Sequence, residues 1–206
     1  MRSRKIPRLS PKKVPQQARS RQMVGDILET AARLLVRGGY EALTTNHVAD
    51  EAGVGIASVY EYFPNKQAIV AAVVTRVAED VLDELQKALA EAAHANAKEG
   101  LALWLDAMFG AIERRRAILT VMVREIPFLW EIPAVQSLGE RLLQLARGAG
   151  MLSRKPVVVA HYEAVAYLMT IMVRAAVLES VIRPPPHIPQ AELRKTLTQL
   201  LTDLLA

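Results

Sequence analysis

Residues 44–66, TTNHVADEAGVGIASVYEYFPNK, decide how this chain folds. Thr44 and Thr45 suit a helix N-cap, because a hydroxyl oxygen can accept an orphan backbone N–H. Val48, Ala49 and Ala52 then recur on one side of a short helix. Gly53 follows where a left-handed cap is needed, a conformation that glycine adopts without steric cost. Val54 plugs the turn and Gly55 opens a second helix, in which Ala57, Val59, Tyr60 and Phe63 alternate between core and surface. Pro64 ends that helix, since the residue before a proline is pushed out of the α region. Asn65 caps the next helix, which opens with Lys66. Two short helices across a glycine turn are the pattern of a helix-turn-helix, whose second helix enters the DNA major groove. A compact αα-hairpin of another kind carries similar punctuation.

The preceding segment narrows the choice. Residues 21–37, RQMVGDILETAARLLVR, place Val24, Ile27, Leu28, Ala31, Leu34 and Leu35 on one helical face. Gly38 and Gly39 stop that helix, and Tyr40 packs behind the stop. A supporting helix followed by a helix-turn-helix makes a three-helix headpiece over residues 21–66.

Residues 21–70 resemble the DNA-binding domain of the TetR family of transcriptional repressors. The resemblance rests on Ala31-Ala32, Gly38-Gly39-Tyr40, Leu43-Thr44-Thr45, Val48-Ala49, Glu51-Ala52-Gly53-Val54, Ser58-Val59-Tyr60, Tyr62-Phe63-Pro64 and Asn65-Lys66. It implies that Thr45 binds a backbone phosphate, with Thr44 and Asn46 in the same DNA-facing set. It implies a recognition helix over residues 55–61, with Gly55, Ile56, Ala57 and Ser58 toward the bases and Tyr60 and Tyr62 reaching phosphates. Lys66 would hold a further phosphate at the next helix N-terminus, where the helix dipole favours anions. Family members commonly carry serine and lysine where this chain has Gly55 and Ile56, so its recognition helix lacks a basic residue. Ile56 and Ala57 suit thymine methyl groups instead, and Glu61 either accepts from a cytosine amine or faces solvent. His47 stands in a slot often used for operator contact, or is a solvated surface histidine.

Charge marks a second feature. The chain has 26 Lys and Arg against 21 Asp and Glu. Residues 1–22 hold Arg2, Arg4, Lys5, Arg8, Lys12, Lys13, Arg19 and Arg21 and no acid; the remainder is left with 18 basic against 21 acidic residues. Pro7, Pro11 and Pro15 keep helix out of this stretch, so residues 1–20 read as a disordered basic arm. Such an arm either follows a DNA groove and releases counterions or serves as a solubilising tail.

Residues 67–206 read as an all-α body for ligand binding and dimerisation. Helical periodicity marks 67–97, 100–116, 117–130 with a break at Pro127, 133–147, 156–182 and 189–205. Pro184-Pro185-Pro186 forces a stiff extended connection between the last two. The segment 156–182 is apolar on most faces and needs a partner beyond its own subunit. Pairing the last two helices with a symmetry mate gives a homodimer, the usual assembly in the resembled family. The same resemblance implies a small-molecule effector pocket in the body, with Trp104, Met108, Phe109, Met122, Phe128, Trp130, Tyr162 and Met169 as candidate lining. Arg124, Glu125 and His161 are its candidate polar groups. A DNA-binding regulator controlled by a partner protein, or with no ligand, is the alternative. Arg114-Arg115-Arg116 reads as a solvated helix terminus rather than an anion site.

Other classes find little support. The chain has no cysteine, so thiol and disulfide chemistry are excluded. The arm is followed by no apolar h-region, and no apolar run reaches the roughly 20 residues of a membrane span. A cytoplasmic protein is expected. His47, His94, His161 and His187 lie far apart without metal-ligand spacing, and no phosphate loop or nucleophile elbow occurs. No catalytic group, metal or cofactor is expected.

Overall fold

The computed structural model describes residues 8–91, 95, 97–148 and 162–205. Among them are ten α-helices, one short 3-10 turn and no strand. The helices are α1 (Ala18–Ala42), α2 (Thr45–Ala52), α3 (Ile56–Tyr62), α4 (Lys66–Glu91) and α5 (Ala97–Arg114). They continue as α6 (Arg116–Glu125), α7 (Pro133–Gln136), α8 (Leu138–Gly148), α9 (Tyr162–Ile182) and α10 (Gln190–Leu205). The all-α expectation therefore holds. The single helix expected over 133–147 is two, and the start expected at Pro156 lies outside the described residues.

The chain divides into two compact units. The first runs through Val77 and takes in Thr120–Val135; the second is Ala78–Leu119 together with Gln136 onward. The first unit thus claims two stretches that the sequence reading assigned to the body.

Local chemistry builds the first unit much as read. Thr44 is the N-cap of α2, its hydroxyl accepting from the His47 N–H at 3.1 Å. Such a cap contributes about 1 kcal/mol. Gly53 closes α2 in the left-handed conformation, φ 66°. Asn65 caps α4, its Oδ1 accepting from the Ala68 N–H at 2.8 Å. The buried side chains include Ile27, Ala31, Leu34, Leu35, Leu43, Val48, Val59, Phe63 and Ile69.

The stop expected at Gly38-Gly39 is a sharp break at Gly39 alone, after which the chain resumes helix to Ala42. Gly39 has φ 76° and ψ 180°, a region essentially reserved for glycine. The break turns the Tyr40 N–H outward to donate to Glu125 Oε2 at 2.9 Å. The Tyr40 ring meets Phe128 edge-on with centroids 5.8 Å apart.

The second unit is built on one apolar core. Leu85, Leu105, Phe109, Leu142, Val177 and Leu201 are among its buried residues. Charged pairs lie at its edges. Glu84 receives hydrogen bonds from both Arg115 and Arg114, the latter at 2.5 Å. Arg141 clasps Glu79 with two bonds of 2.6 and 2.7 Å. Arg194 bridges Asp106 at 3.3 Å and Glu113 at 3.0 Å, with its guanidinium 5.0 Å from the Phe109 centroid. Arg114, in the last turn of α5 and 62% exposed, keeps the solvated terminus read from sequence, whereas Arg115 is largely withdrawn against Glu84.

Replacing Gly39 by alanine should lower the unfolding free energy by about 1–3 kcal/mol for the backbone conformation alone. A Cβ there would lie 2.3 Å from Glu125 Oε2, which adds to that cost. Gly53→Ala meets open space and should lose only the left-handed penalty, about 1–2 kcal/mol. Urea denaturation of the two variants should rank Gly39→Ala as the more damaging.

A second outcome concerns pH. The hydrogen bond from Arg115, with that from Arg114, holds the Glu84 carboxyl at about 2 against an ordinary 4.5. A depressed folded-state pKa gives stability that is present above 4.5 and lost as pH falls toward 2. Glu84→Gln should therefore flatten the acid limb of a stability-versus-pH curve across that window and leave its slope near neutrality unchanged.

Candidate nucleic-acid interface

Helix α3 has only seven residues, so its position is set by what it buries. Val59 on its inner side, with Tyr62 and Phe63 at its end, is buried, while Ile56, Ala57, Tyr60 and Glu61 are exposed on the outer side. Gly55 is the N-cap and is exposed; Ser58 is half-buried. The outer side is therefore a narrow apolar strip of Ile56 and Ala57, flanked by one phenol and one carboxylate.

The first turn of α2 adds to that side. Thr45 Oγ1 and Tyr60 Oη lie 3.0 Å apart, so two hydroxyls from different helices meet at one point. A phosphate oxygen can accept from such a pair, and contacts of this kind fix register without reading sequence. Asn46 is exposed beside Thr45, and the Thr44 oxygen is occupied as the α2 cap. His47 belongs to a small surface group in which Arg37 binds Glu51 at 2.7 Å and lies 3.5 Å from His47 Nε2.

Two expected phosphate contacts are corrected. Tyr62 is only 5% exposed, so its ring is core and cannot reach a phosphate from the outer side. Lys66 turns inward: its Nζ donates to the Tyr40 carbonyl at 2.9 Å and stands 4.1 Å from the Tyr40 ring centroid. A cation held by both a carbonyl and an aromatic face is a structural tie between α4 and the end of α1.

The basic arm also differs from expectation. Its described part, residues 8–17, is not free. The Lys12 N–H donates to the Tyr62 carbonyl at 2.7 Å, and Lys12 Nζ donates to the Tyr60 carbonyl at 2.8 Å. Lys13 pairs with Glu61 and lies 4.7 Å from the Tyr62 centroid. The hydrogen bond that Lys13 donates to Glu61 raises the Lys13 pKa above its ordinary value. Asn65 Nδ2 donates to the Arg8 carbonyl at 3.3 Å.

The candidate effector residues do not form one group. Trp104, Met108 and Phe109 are buried in the core of the second unit, with Met169 against it. The Trp104 Nε1–H is buried without a hydrogen-bond partner among the described residues. Met122 and Phe128 are buried in the first unit, where Phe128 serves Tyr40. Trp130 is 61% exposed, which sets it apart from the buried candidates. Arg124 is exposed, and Glu125 is engaged at Tyr40. His161 and the Tyr162 side chain lie outside the described residues. An open groove of about 560 Å³ between α5 and α10 is lined by Asp106, Glu113, Gln190, Arg194 and Lys195 among others.

Among the described residues no three His, Cys, Asp or Glu side chains gather as a metal site. None of the described helices is long and apolar enough to cross a membrane.

An all-α chain with an exposed, firmly backed second helix of a helix-turn-helix is a DNA-binding protein in class. Residues 27–73 match the model of the bacterial regulatory proteins of the tetR family, and the headpiece belongs to that family. The HTH-type transcriptional regulator YvkB of Bacillus subtilis (strain 168) is 42% identical over 50 residues, 24% of this chain and 26% of that protein. The sequence match thus spans about a quarter of that relative. A TetR-family transcriptional regulator from Streptomyces coelicolor shares the fold over 90% of this chain and 98% of its own, at 26% identity and TM-score 0.61. The regulator FadR of Bacillus subtilis, solved with stearoyl-CoA, matches over 88% of this chain and 96% of its own, at 18% identity and TM-score 0.63. These relatives are transcriptional regulators, not enzymes.

Thr45→Ala and Tyr60→Phe should each weaken binding to every DNA sequence by a similar factor, because they remove one donor of a shared pair. Each should also shift the motif selected from random DNA little. Fluorescence anisotropy on several duplexes checks this; a change confined to one sequence would show base reading instead.

Proposed function

We propose that this chain is a transcriptional repressor that binds a near-palindromic operator as a homodimer and is released by a small apolar effector. The observation that carries the DNA reading is the outer side of α3, exposed at Ile56, Ala57 and Tyr60 and backed by fully buried Val59 and Phe63. Gly55, Ile56, Ala57 and Ser58 would meet base edges, with thymine methyls the natural target of Ile56 and Ala57. Asn46, Thr45 and Tyr60 would position the helix on phosphates. A protein that acts on chromosomal DNA works in the cytoplasm.

Helix α9 supports the dimer. One side of it buries Val173, Val177 and Val181, yet the other leaves Tyr167, Leu168 and Met172 exposed, Met172 at 63%. On α10, Leu200 is 62% exposed. Apolar side chains at helical spacing on a solvent-facing surface mark an interface. A twofold mate would cover them and set two copies of α3 against one duplex.

The effector reading rests on Trp104. Its buried indole N–H has no acceptor among the described residues; an unmet N–H costs roughly 1–3 kcal/mol, and an oxygen on a bound ligand would remove that cost. The apolar surroundings, Leu85, Leu105, Met108 and Leu142, suit a ligand that is otherwise hydrocarbon. FadR of Bacillus subtilis, which shares the fold, was solved in complex with stearoyl-CoA, a ligand with a long apolar chain.

Selection of bound fragments from random DNA should return inverted half-sites with centres about 34–36 Å apart or a multiple of that spacing. Met172→Glu should convert the protein to a monomer in light scattering and cost more than about tenfold in affinity for the selected site, since one recognition helix remains per molecule. A single unrepeated half-site, or a Met172→Glu protein that stays dimeric and binds unchanged, would overturn the arrangement.

A further inference from the structure

Two adjacent arm residues do different work at the end of α3. Lys12 fixes position: its N–H and its ammonium satisfy the Tyr62 and Tyr60 carbonyls, which the helix itself leaves without donors. Lys13 supplies charge: its ammonium meets the carboxylate of Glu61, the only ionised side chain on α3. Glu61 stands one position after Tyr60, on the side of the helix that faces DNA in the function proposed above. An uncovered carboxylate there would repel phosphates on either edge of the groove. The helix carries no cation of its own to offset it.

We propose that Lys13 acts on DNA recognition through Glu61, cancelling its charge so that α3 offers the duplex a neutral, apolar reading surface. The arm is then a built part of the recognition element rather than a free tail, and its last turn before α1 sets the charge state of that element. This rests on α3 being the reading helix.

The pair suits a clean test. Both side chains are about half exposed, at 46% and 52%, so the bond adds little to folding stability and its loss leaves the fold intact. Lys12 and the Asn65–Arg8 bond keep the arm docked when Lys13 is changed. Affinity for the selected duplex is measured for the full chain, Lys13→Ala, Glu61→Gln and the double variant, at low and high salt. Lys13→Ala should weaken binding by about tenfold at low salt, with a smaller loss at high salt as the repulsion is screened. In the Glu61→Gln background the same Lys13→Ala change should cost less than about twofold, because no carboxylate remains to be exposed. An equal loss in both backgrounds would mean that Lys13 touches phosphate directly, and no loss in either would mean that Glu61 is remote from the duplex; both overturn the proposal. Tyr60→Ala is measured in parallel. If it weakens binding while the Lys13 result is negative, the cancellation alone fails; if it too is inert, the assignment of α3 as the reading helix fails with it.

Discussion

The burial of one side of a seven-residue helix is the constraint on which the rest of this headpiece depends. A helix as short as α3 does not persist in water by its own hydrogen bonds. Val59 on its inner side and Phe63 just beyond its end are withdrawn from solvent almost completely, with Tyr62 between them. Each such side chain contributes roughly 1.5–3 kcal/mol of burial, which is more than the helix can supply from propensity. Because residues three and four apart share a face, fixing 59, 62 and 63 also fixes where 56, 57 and 60 point. The outward set is thereby rigid without any ligand, and rigid presentation lowers the ordering cost of binding.

Tyr40 performs the corresponding task on the other side of the unit. Its N–H meets Glu125, its carbonyl and ring both meet Lys66, and its ring also meets Phe128. Those partners come from the end of α6, the start of α4 and the turn that follows α6. One residue therefore ties three chain segments together, and it can do so because Gly39 frees its N–H from the helix ladder. A perturbation of α6 at Glu125 would be felt at the α1–α4 corner without passing through an apolar core.

Much of the headpiece was legible because its determinants are local. Thr44, Gly53, Gly55, Pro64 and Asn65 act within a few residues of themselves, through caps and backbone preferences that sequence displays directly. The outward set Ile56, Ala57 and Tyr60 came from the family resemblance. What escaped the sequence depends on partners far along the chain. The inward turn of Lys66 needs the Tyr40 ring and carbonyl, 26 residues earlier. The docking of Lys12 needs a helix end 48 residues away. Tyr62 illustrates a different limit: one residue per turn separates core from surface near a helix end, and the resemblance assigned the ring to the wrong side. The body was legible as helix throughout but not as a pocket, since a stripe of Trp, Met and Phe looks the same whether it lines a space or fills one.

The two tryptophans fall one to each unit and into opposite surroundings. Trp104 sits in an apolar interior and Trp130 is open to water. Indole emission shifts to the red in a polar medium and is quenched by dissolved iodide only where the ring can be touched. The chain thus carries a separate optical label in each half, so that melting of either half has its own colour.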